Sequence, residues 1–322
     1  MKKLTKQVTV LTGLALMFAA FDAVFYLTVT RRYMNSTSPE MQAKSIEVSR
    51  YLPFGTDSKI VQAEAAQKLS GDLPVIDGAA ALLPVYSAFV HALYPPESVQ
   101  FDGESYTSES AMQYTNTRGA YQSLAEGTAD IILCAKPSAE QKAYAEQCGR
   151  ELLYVPIARE AFVFIVNKDN PVDNLTAEQI RSIYSGEITS WSEVGGKHVL
   201  IDAVQRNEGS GSQTSMLGFM GDTPMKRNPL TFFGSAIGYS FRYYVEGIVG
   251  NGGVKMLSVN GVYPDSEHIA NGSYPVTGDV LAVYDAKNDN PNIPILLDFM
   301  RSETGQRIIE ESGYSPLKAM PS

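Results

Sequence analysis

Short apolar runs alternate with amphipathic segments along most of the chain, from about residue 73 to its end. A strand buried on both faces is apolar throughout, whereas a surface helix keeps one polar face, so the runs predict strands and the segments between them predict helices. Strands are predicted at residues 73–78, 98–101, 129–134, 152–157, 161–166 and 199–205, and residues 238–240, 254–259 and 280–284 continue the domains that these strands build.

Helix boundaries follow from capping residues. Ser138 with Gln141 three residues later is typical of a capping box, Thr176 is a second cap, and Thr117 is predicted to cap a helix that Gly127 ends. Helices are predicted at residues 79–93, 117–124, 138–148 and 293–301, with others opening near residues 176 and 212. Strands that alternate with helices predict the α/β class, with open, mostly parallel sheets flanked by helices.

The chain divides into four predicted regions. Residues 1–34 form a signal or anchor segment, and residues 35–71 read as a polar stalk. Residues 72–157 together with 275–322 form a first lobe, and residues 158–274 form a second lobe. The chain is predicted to enter the second lobe at 156–160 and to return near 272–275.

The N-terminus is first basic and then apolar. Lys2, Lys3 and Lys6 precede an apolar run over residues 8–29. At a rise of about 1.5 Å per residue, this run is just long enough to span a bilayer as a helix, although Asp22 interrupts it. An uncleaved anchor is the first interpretation and a cleaved signal peptide is the alternative. Either one predicts an extracytoplasmic protein, tethered to the membrane at the cell surface or secreted.

Composition narrows the functional class. Of 322 residues, 44% are hydrophobic and 19% are charged, as in folded globular proteins, and the formal net charge is −9. Such an acidic chain implies no basic surface for nucleic acid, so no nucleic-acid partner is expected. Cys134 and Cys148 are the two cysteines, and both a disulfide between them and two free thiols remain open.

One segment indicates anion binding. It runs from Arg206 to Thr214 (RNEGSGSQT) and follows the predicted strand 199–205. A helix that opens near Ser212 presents unpaired N–H groups and the positive end of its dipole, and Arg206 adds a planar fork of donors. A strand, a glycine-rich turn and a helix form the context in which such a turn binds an oxyanion. An ordinary loop before a helix is the alternative.

Several segments, taken in their order, are similar to a known family. They are residues 76–81, 117–121, 169–176, 183–191, 206–214 and 236–240. Over about residues 73–316 the chain resembles the phosphate-binding proteins of phosphate ABC transporters, within the type II periplasmic-binding-protein fold. The resemblance implies two lobes that close by a hinge motion over phosphate, or a similar tetrahedral oxyanion, in the cleft between them. It also implies an ABC transporter permease as partner, a monomer, and neither cofactor nor metal.

The resemblance further implies which residues contact the ligand. Arg206 matches the arginine that pairs with phosphate in that family, residues 210–212 match its Ser-Gly-Thr, and Thr117 stands where the family has a serine. The full set of expected ligand contacts is Ala80, Ala81, Thr117, Lys136, Arg206, Ser210, Gly211 and Ser212.

Two positions depart from the family pattern. Ala80 and Ala81 stand where the family commonly offers a hydroxyl, so only backbone N–H groups remain there. The segment Ala135-Lys136-Pro137-Ser138 stands where the family has an aspartate that accepts the proton of monohydrogen phosphate, and Ser138 offers a hydroxyl there instead. Without that carboxylate, discrimination against sulfate is expected to weaken. Lys136 either adds charge to the site or is a solvated loop residue.

The residues do not suggest an enzyme. His91, His198 and His268 are the only histidines, and none flanks a motif. Tyr239 and Tyr243 are predicted to pack in the core, with a place in the cleft as the alternative. A solute-binding protein for an ABC importer is therefore the main functional hypothesis. A membrane-tethered sensor or receptor that kept the fold but binds another ligand is the alternative.

Overall fold

A computed structural model describes residues 46–226, 235–249 and 253–317, together with Met17. Apart from Met17, the predicted anchor and the first part of the predicted stalk lie outside these residues. Within the described parts of the chain, no helix is long and apolar enough to cross a membrane.

The secondary structure follows the predicted alternation. The strands are β1 (Ile76–Gly78), β2 (Ile131–Cys134), β3 (Leu152–Asn167), β4 (Asn174–Leu175), β5 (Ile201–Ala203), β6 (Ser235–Phe241), β7 (Val254–Met256), β8 (Ser258–Val259), β9 (Thr277–Asp285) and β10 (Ser315–Pro316). The helices are α1 (Leu83–Leu93), α2 (Asn116–Glu126), α3 (Ala139–Gln147), α4 (Ala177–Ser185), α5 (Gly211–Met220), α6 (Ser266–Asn271), α7 (Asn292–Arg301) and α8 (Glu303–Glu311).

The main sheet is mixed rather than mostly parallel. Its strand order is β1-β2-β9-β3-β6-β5, and β7 and β10 also pair with β3. The β1/β2 and β5/β6 ladders are parallel, whereas every ladder that involves β3 or β9 is antiparallel. The reason is that β3 carries the chain out of one half of the molecule and β9 brings it back beside β3. The α/β class is confirmed, and the prediction of mostly parallel sheets is wrong.

The two predicted strands at 152–157 and 161–166 are one continuous strand, β3. It pairs with β9 from Leu152 opposite Asp285 to Ala161 opposite Thr277, with a shift of register between Pro156 and Ala158. Proline has no N–H for the ladder, and such a shift is where a strand tolerates it. The passages into and out of the second half of the sheet therefore lie side by side and are hydrogen-bonded to each other.

A buried carboxylate lies where these strands cross between the halves. Glu160 on β3 is 5% exposed, and its Oε1 accepts a hydrogen bond from the N–H of Ala161 at 3.0 Å. Its Oε2 has no hydrogen-bond partner among the described residues. Burial raises the pKa of Glu160 to about 8, against the opposing effects of the Ala161 N–H and the Arg242 cation.

Apolar side chains form separate cores in the two halves. On β2, Ile131 and Leu133 pack in a first core with α1, α7 and α8, whereas Ile132 and Cys134 face α2 on the other side of the sheet. This alternation is the period of two that a strand imposes. A second core is built on β3 and β6 with α4 and α5. The lobe boundaries given above stay predictions.

Residues 46–71 of the predicted polar stalk pack against the first core. Ile46, Ile60, Ala63 and Leu69 are buried in the first core. The N–H of Leu69 donates to the carbonyl of Leu93 at the end of α1, at 2.7 Å. These apolar residues are too widely spaced to show a helix or strand period, so only the folded chain reveals their burial.

Two further predictions are resolved by the structure. Residues 98–101 form no strand, because a short 3-10 helix covers Pro96–Ser98 and Phe101 makes only an isolated bridge with Tyr106. Cys134 is buried on β2, Cys148 is exposed just after α3, and both are free thiols.

Candidate functional site

The loop from Arg206 to Ser210 is fixed from inside the second core. The backbone N–H of Arg206 donates to Gln213 Oε1 at 3.0 Å and to the Tyr239 hydroxyl at 3.1 Å. The Tyr239 hydroxyl in turn donates to Gln213 Oε1. Burial lowers the pKa of Arg206 from its ordinary value, which means that its cation is partly desolvated and gains from an anionic partner.

Helix α5 begins at Gly211, with Ser210 as its cap. Ser210 Oγ accepts a hydrogen bond from the N–H of Gln213 at 3.2 Å, as an N-cap serine does. Gly211 and Ser212 are buried in the first turn, where backbone N–H groups have no acceptor within the helix. The predicted helix opening is confirmed, one residue before Ser212. Arg206 and residues 210–212 are called the arginine side below.

The expected ligand contacts before α1 and the loop after β2 offer backbone groups alone where alanine stands. Ala80 and Ala81 are half-buried in a 3-10 helix, Ala80–Leu82, that leads into α1. The N–H of Ala79 donates to the carbonyl of Leu133 at 2.9 Å, which holds this turn against the end of β2. Ala135, the next residue after β2, accepts a hydrogen bond from the Tyr121 hydroxyl of α2 at 2.7 Å. Ala80, Ala81 and Ala135 are called the alanine side.

Thr117 does not cap α2, contrary to the prediction. The cap position is Thr115, and Asn116 follows it with a left-handed φ of 59°. Asp77 on β1 holds Thr115 through the Thr115 N–H at 3.0 Å and the Thr115 hydroxyl at 2.5 Å. A contact between residues 38 positions apart therefore fixes the helix start and leaves Thr117 in its first turn.

Asp77 lies on β1, shortly before Ala80 and Ala81 of the alanine side. It is fully buried in β1 and also accepts a hydrogen bond from the N–H of Gly78 at 2.7 Å. Burial raises the pKa of Asp77, and the hydrogen bonds from Thr115 and Gly78 oppose this rise. Asp77 thus joins the start of α2 to the turn before α1.

Thr117 and Gly211 bring the two halves of the molecule into contact. A Cβ atom on Gly211 would lie 3.3 Å from Thr117 Oγ1 and 3.6 Å from the Phe241 ring. A glycine allows this close approach, because it has no side chain to separate α2 from α5. The expected ligand contacts Thr117 and Gly211 are therefore neighbours, although they are far apart in sequence.

Lys136 differs from the other expected ligand contacts because it is exposed in the loop after β2. This placement agrees with the solvated-loop interpretation. The ligand contacts as a set stay predictions, since the structure holds no ligand.

A groove of about 380 Å³ runs beside the point where the halves meet. The carbonyl of Gly209 accepts a hydrogen bond from Gln141 Nε2 of α3 at 3.1 Å at one edge of this groove. Its lining residues are Arg118, Tyr121, Gln122, Glu140, Gln141, Tyr144, Glu208 and Gly209.

Several residues near the site were missed from the sequence. Tyr244 lies within electrostatic range of both Arg206 and Tyr114. Burial, and after it Tyr244 and Asp77, raise the pKa of Tyr114 to about 12. An aspartate inside the apolar run 73–78 was the one signal available, because a charge in a buried strand needs partners. No sequence pattern near Tyr114 or Tyr244 predicts that they lie near the site.

His91, His268, Tyr239 and Tyr243 make contacts with neighbouring residues of the fold. His91 Nδ1 is 2.7 Å from the carbonyl of Pro53, and His268 is paired with Asp265. Tyr239 is fully buried in the second core, and the Tyr243 ring lies tilted against the Tyr314 ring, with 4.6 Å between centroids. Among the described residues, no group of three or more histidine, cysteine or acidic side chains is arranged to hold a metal ion.

The sequence comparison places the chain in a family. A family profile described as a PBP superfamily domain matches residues 64–301. The chain belongs to the PBP superfamily. The match includes β1 through α7, and with them the arginine side, the alanine side and Thr117.

Two phosphate-binding proteins resemble this chain. The phosphate-binding protein PstS of Borreliella burgdorferi is 28% identical over 193 residues, which cover 54% of this chain and 68% of that protein. PstS of Bacillus subtilis is 25% identical over 281 residues, which cover 80% of this chain and 85% of that protein.

A solved structure resembles it as well. It is described as a phosphate ABC transporter substrate-binding protein with bound phosphate, from Clostridium perfringens. It is 27% identical, with a TM-score of 0.57, and the likeness covers 76% of this chain and 98% of that one. A phosphate transport receptor from Vibrio cholerae, at 22% identity and a TM-score of 0.53, shows the same fold.

Proposed function

We propose that this protein captures inorganic phosphate, or a similar tetrahedral oxyanion, outside the cytoplasmic membrane and delivers it to an ABC importer. One observation carries the proposal: the arginine side, with the first turn of α5, lies against Thr117 at the start of α2. This contact places the Thr117 hydroxyl of one half beside the helix start of the other, which supports anion capture between two lobes. The names of the PstS relatives and of the phosphate-bound structure support phosphate as the anion.

The arginine side supplies most of the binding in this proposal. Arg206 neutralises the anion with a planar pair of N–H groups, which match two phosphate oxygens better than an ammonium would. The N–H groups of Gly211 and Ser212 and the positive end of the α5 dipole add further donors. Ser210 accepts from Gln213 through its oxygen, so its own proton remains available to the ligand.

The other half supplies Thr117 and backbone N–H groups. The Thr117 hydroxyl donates to the ligand, and Ala80 and Ala81 contribute only their backbone N–H groups. No carboxylate stands at Ala135 to accept the proton of monohydrogen phosphate or to repel sulfate. We therefore infer that sulfate competes with phosphate more strongly than it would at a site with that carboxylate.

The remaining parts of the proposal follow from the same role. The protein acts as a monomer without cofactor, binds rather than transforms its ligand, and meets a transporter permease. Residues 1–34 tether it to the cytoplasmic membrane or direct its export. Closure on the anion bends the paired strands β3 and β9, which are the connections between the halves.

Titration calorimetry on the full-length chain tests the proposal. Phosphate, arsenate, sulfate and molybdate are titrated in turn into protein dialysed free of phosphate. One binding site per chain for phosphate is the expected result, with measurable competition by sulfate. Heat from none of the four anions would refute oxyanion capture.

A further inference from the structure

One side chain on α3 reaches across to the loop before α5. Gln141 Nε2 donates to the carbonyl oxygen of Gly209 at 3.1 Å, between residues 68 positions apart. Gln141 belongs to the half that holds the alanine side, and Gly209 to the arginine side's loop. The bond therefore joins the two halves beside the proposed anion site.

The same amide is already oriented by its own helix. Gln141 Oε1 accepts from the N–H of Ser138 at 2.8 Å, and the N–H of Gln141 donates to Ser138 Oγ at 3.1 Å. This capping box fixes the amide oxygen, and the amide nitrogen then points away from the helix. Because the capping box already orders the Gln141 side chain, its hydrogen bond to Gly209 costs little further side-chain entropy.

The carbonyl that Gln141 holds belongs to a peptide that positions α5. Gly209 has a left-handed φ of 74°, and the N–H on the other end of its peptide, that of Ser210, donates to the carbonyl of Asn207 at 3.2 Å. The peptide is thus held at both ends directly before the first N–H groups of the helix. The Arg118 side chain packs against the same glycine, with its Cδ 3.5 Å from where a Cβ would stand.

We propose that Gln141 is a positioning residue for anion capture. Its amide fastens the loop before α5 to α3 when the halves are together, which keeps the captured anion in the site for longer. The proposal rests on the proposed function. The bond must break before the halves can separate and the anion can leave, so we expect its loss to act more on the dissociation rate than on the association rate.

The chain contains a matched control at Gln179. Gln179 makes the same capping box on α4, where Thr176 N–H donates to Gln179 Oε1 at 2.8 Å and Gln179 N–H donates to Thr176 Oγ1 at 3.0 Å. Glutamate at either position keeps the acceptor for the cap but removes the amide donor. Leucine removes both groups. Any effect of Gln141 substitutions beyond that of the Gln179 substitutions therefore reports the bond to Gly209.

The first experiment measures phosphate release from the full-length chain by stopped flow. We expect Gln141→Glu and Gln141→Leu to release phosphate roughly three- to tenfold faster than wild type, the range for loss of one neutral hydrogen bond. Gln179→Glu and Gln179→Leu are expected to leave the rate unchanged. The leucine pair excludes simple repulsion between a new carboxylate and the anion. Equal rates in all four variants would overturn the proposal.

A second measurement needs no ligand. Spin labels are placed on cysteines at Lys142 of α3 and Leu217 of α5, both exposed, in a Cys148→Ser background. Gln141→Leu is expected to move the label distances to longer values, and Gln179→Leu is not. If wild type binds no phosphate, the proposed function is refuted, but the label distances still test whether Gln141 holds the Gly209 loop against α3. Unchanged label distances in Gln141→Leu would refute the positioning role of Gln141.

Discussion

The arginine side of the candidate site is rich in side-chain donors, whereas the alanine side offers backbone groups alone. Arg206 and Ser210 are held in place by Gln213 and Tyr239 of the second core. On the alanine side, the N–H of Ala79 donates to the carbonyl of Leu133, and the carbonyl of Ala135 accepts from the Tyr121 hydroxyl. Both sides are thus hydrogen-bonded to the surrounding structure, and they differ in the groups that they offer to a ligand. We infer that the arginine side sets affinity and that the alanine side sets selectivity.

The largest effect is expected on the arginine side. Arg206→Ala removes the cation of that side, so phosphate Kd should rise roughly 30- to 5,000-fold. Calorimetry on wild type and variant measures the change. Arg307→Ala, at an exposed arginine of α8, is the control and should bind as wild type does. An unchanged Kd in Arg206→Ala would mean that the arginine side does not bind the anion.

The strand crossing between the two sides is expected to respond to pH. Glu160 has a pKa of about 8 in the fold against an ordinary value of 4.5, so the native state binds the extra proton. Its contribution to stability is complete below pH 4.5 and is lost as pH rises through 8. A tenfold change in proton affinity corresponds to about 1.4 kcal/mol, so the free energy of unfolding should fall on the order of 3 kcal/mol between pH 5 and 8.

Glu160→Gln tests this dependence, because glutamine keeps the hydrogen bond to Ala161 but cannot ionise. Urea unfolding at several pH values should show a flatter profile for Glu160→Gln than for wild type or for Glu104→Gln, at an exposed position. Arg242, Glu246, Tyr243 and Tyr314 are the groups with an electrostatic or hydrogen-bond influence on Glu160. If the free energy of unfolding of Glu160→Gln still falls steeply with pH, groups other than Glu160 cause the pH dependence.

The alanine side should gain selectivity from one carboxylate. Ala135→Asp is expected to weaken sulfate binding relative to phosphate by about tenfold, because the new carboxylate accepts the proton of monohydrogen phosphate but repels sulfate. Competition titrations measure the ratio. Ala139→Asp adds the same charge at an exposed position of α3 and should leave the ratio unchanged. If both variants alter the ratio alike, net charge rather than position is responsible.

The smallest effect is expected where the two sides touch. Gly211→Ala places a Cβ 3.3 Å from Thr117 Oγ1, so closure is strained and phosphate Kd should rise about fivefold. Stability should stay level or improve by about 0.5–1 kcal/mol, since alanine favours a helix over glycine. Gly218→Ala, on the same helix with nothing within 4 Å of the added Cβ, should share the stability gain without the loss of affinity. A parallel loss in both variants would contradict the contact.

Local signals in the sequence predicted much of the fold and the arginine side. The capping box of Ser138 and Gln141 and the glycine that ends α2 at Gly127 depend on neighbours within a few residues, and both were confirmed. The start of α2 was misassigned because Asp77, far away in sequence, decides it. The burial of Ile60 and Leu69, the mixed sheet and the reach of Gln141 to Gly209 likewise depend on distant partners. No residue pattern near them carries that information.

The pairing of β3 with β9 limits how the molecule can open. Two separate connecting strands would allow the halves to slide, twist and tilt independently. Strands paired from Leu152 to Ala161, with one register shift between Pro156 and Ala158, resist sliding past each other, because sliding would break the ladder hydrogen bonds. We infer that the halves separate mainly by bending of this strand pair, and that the bond from Gln141 to Gly209 breaks as they separate.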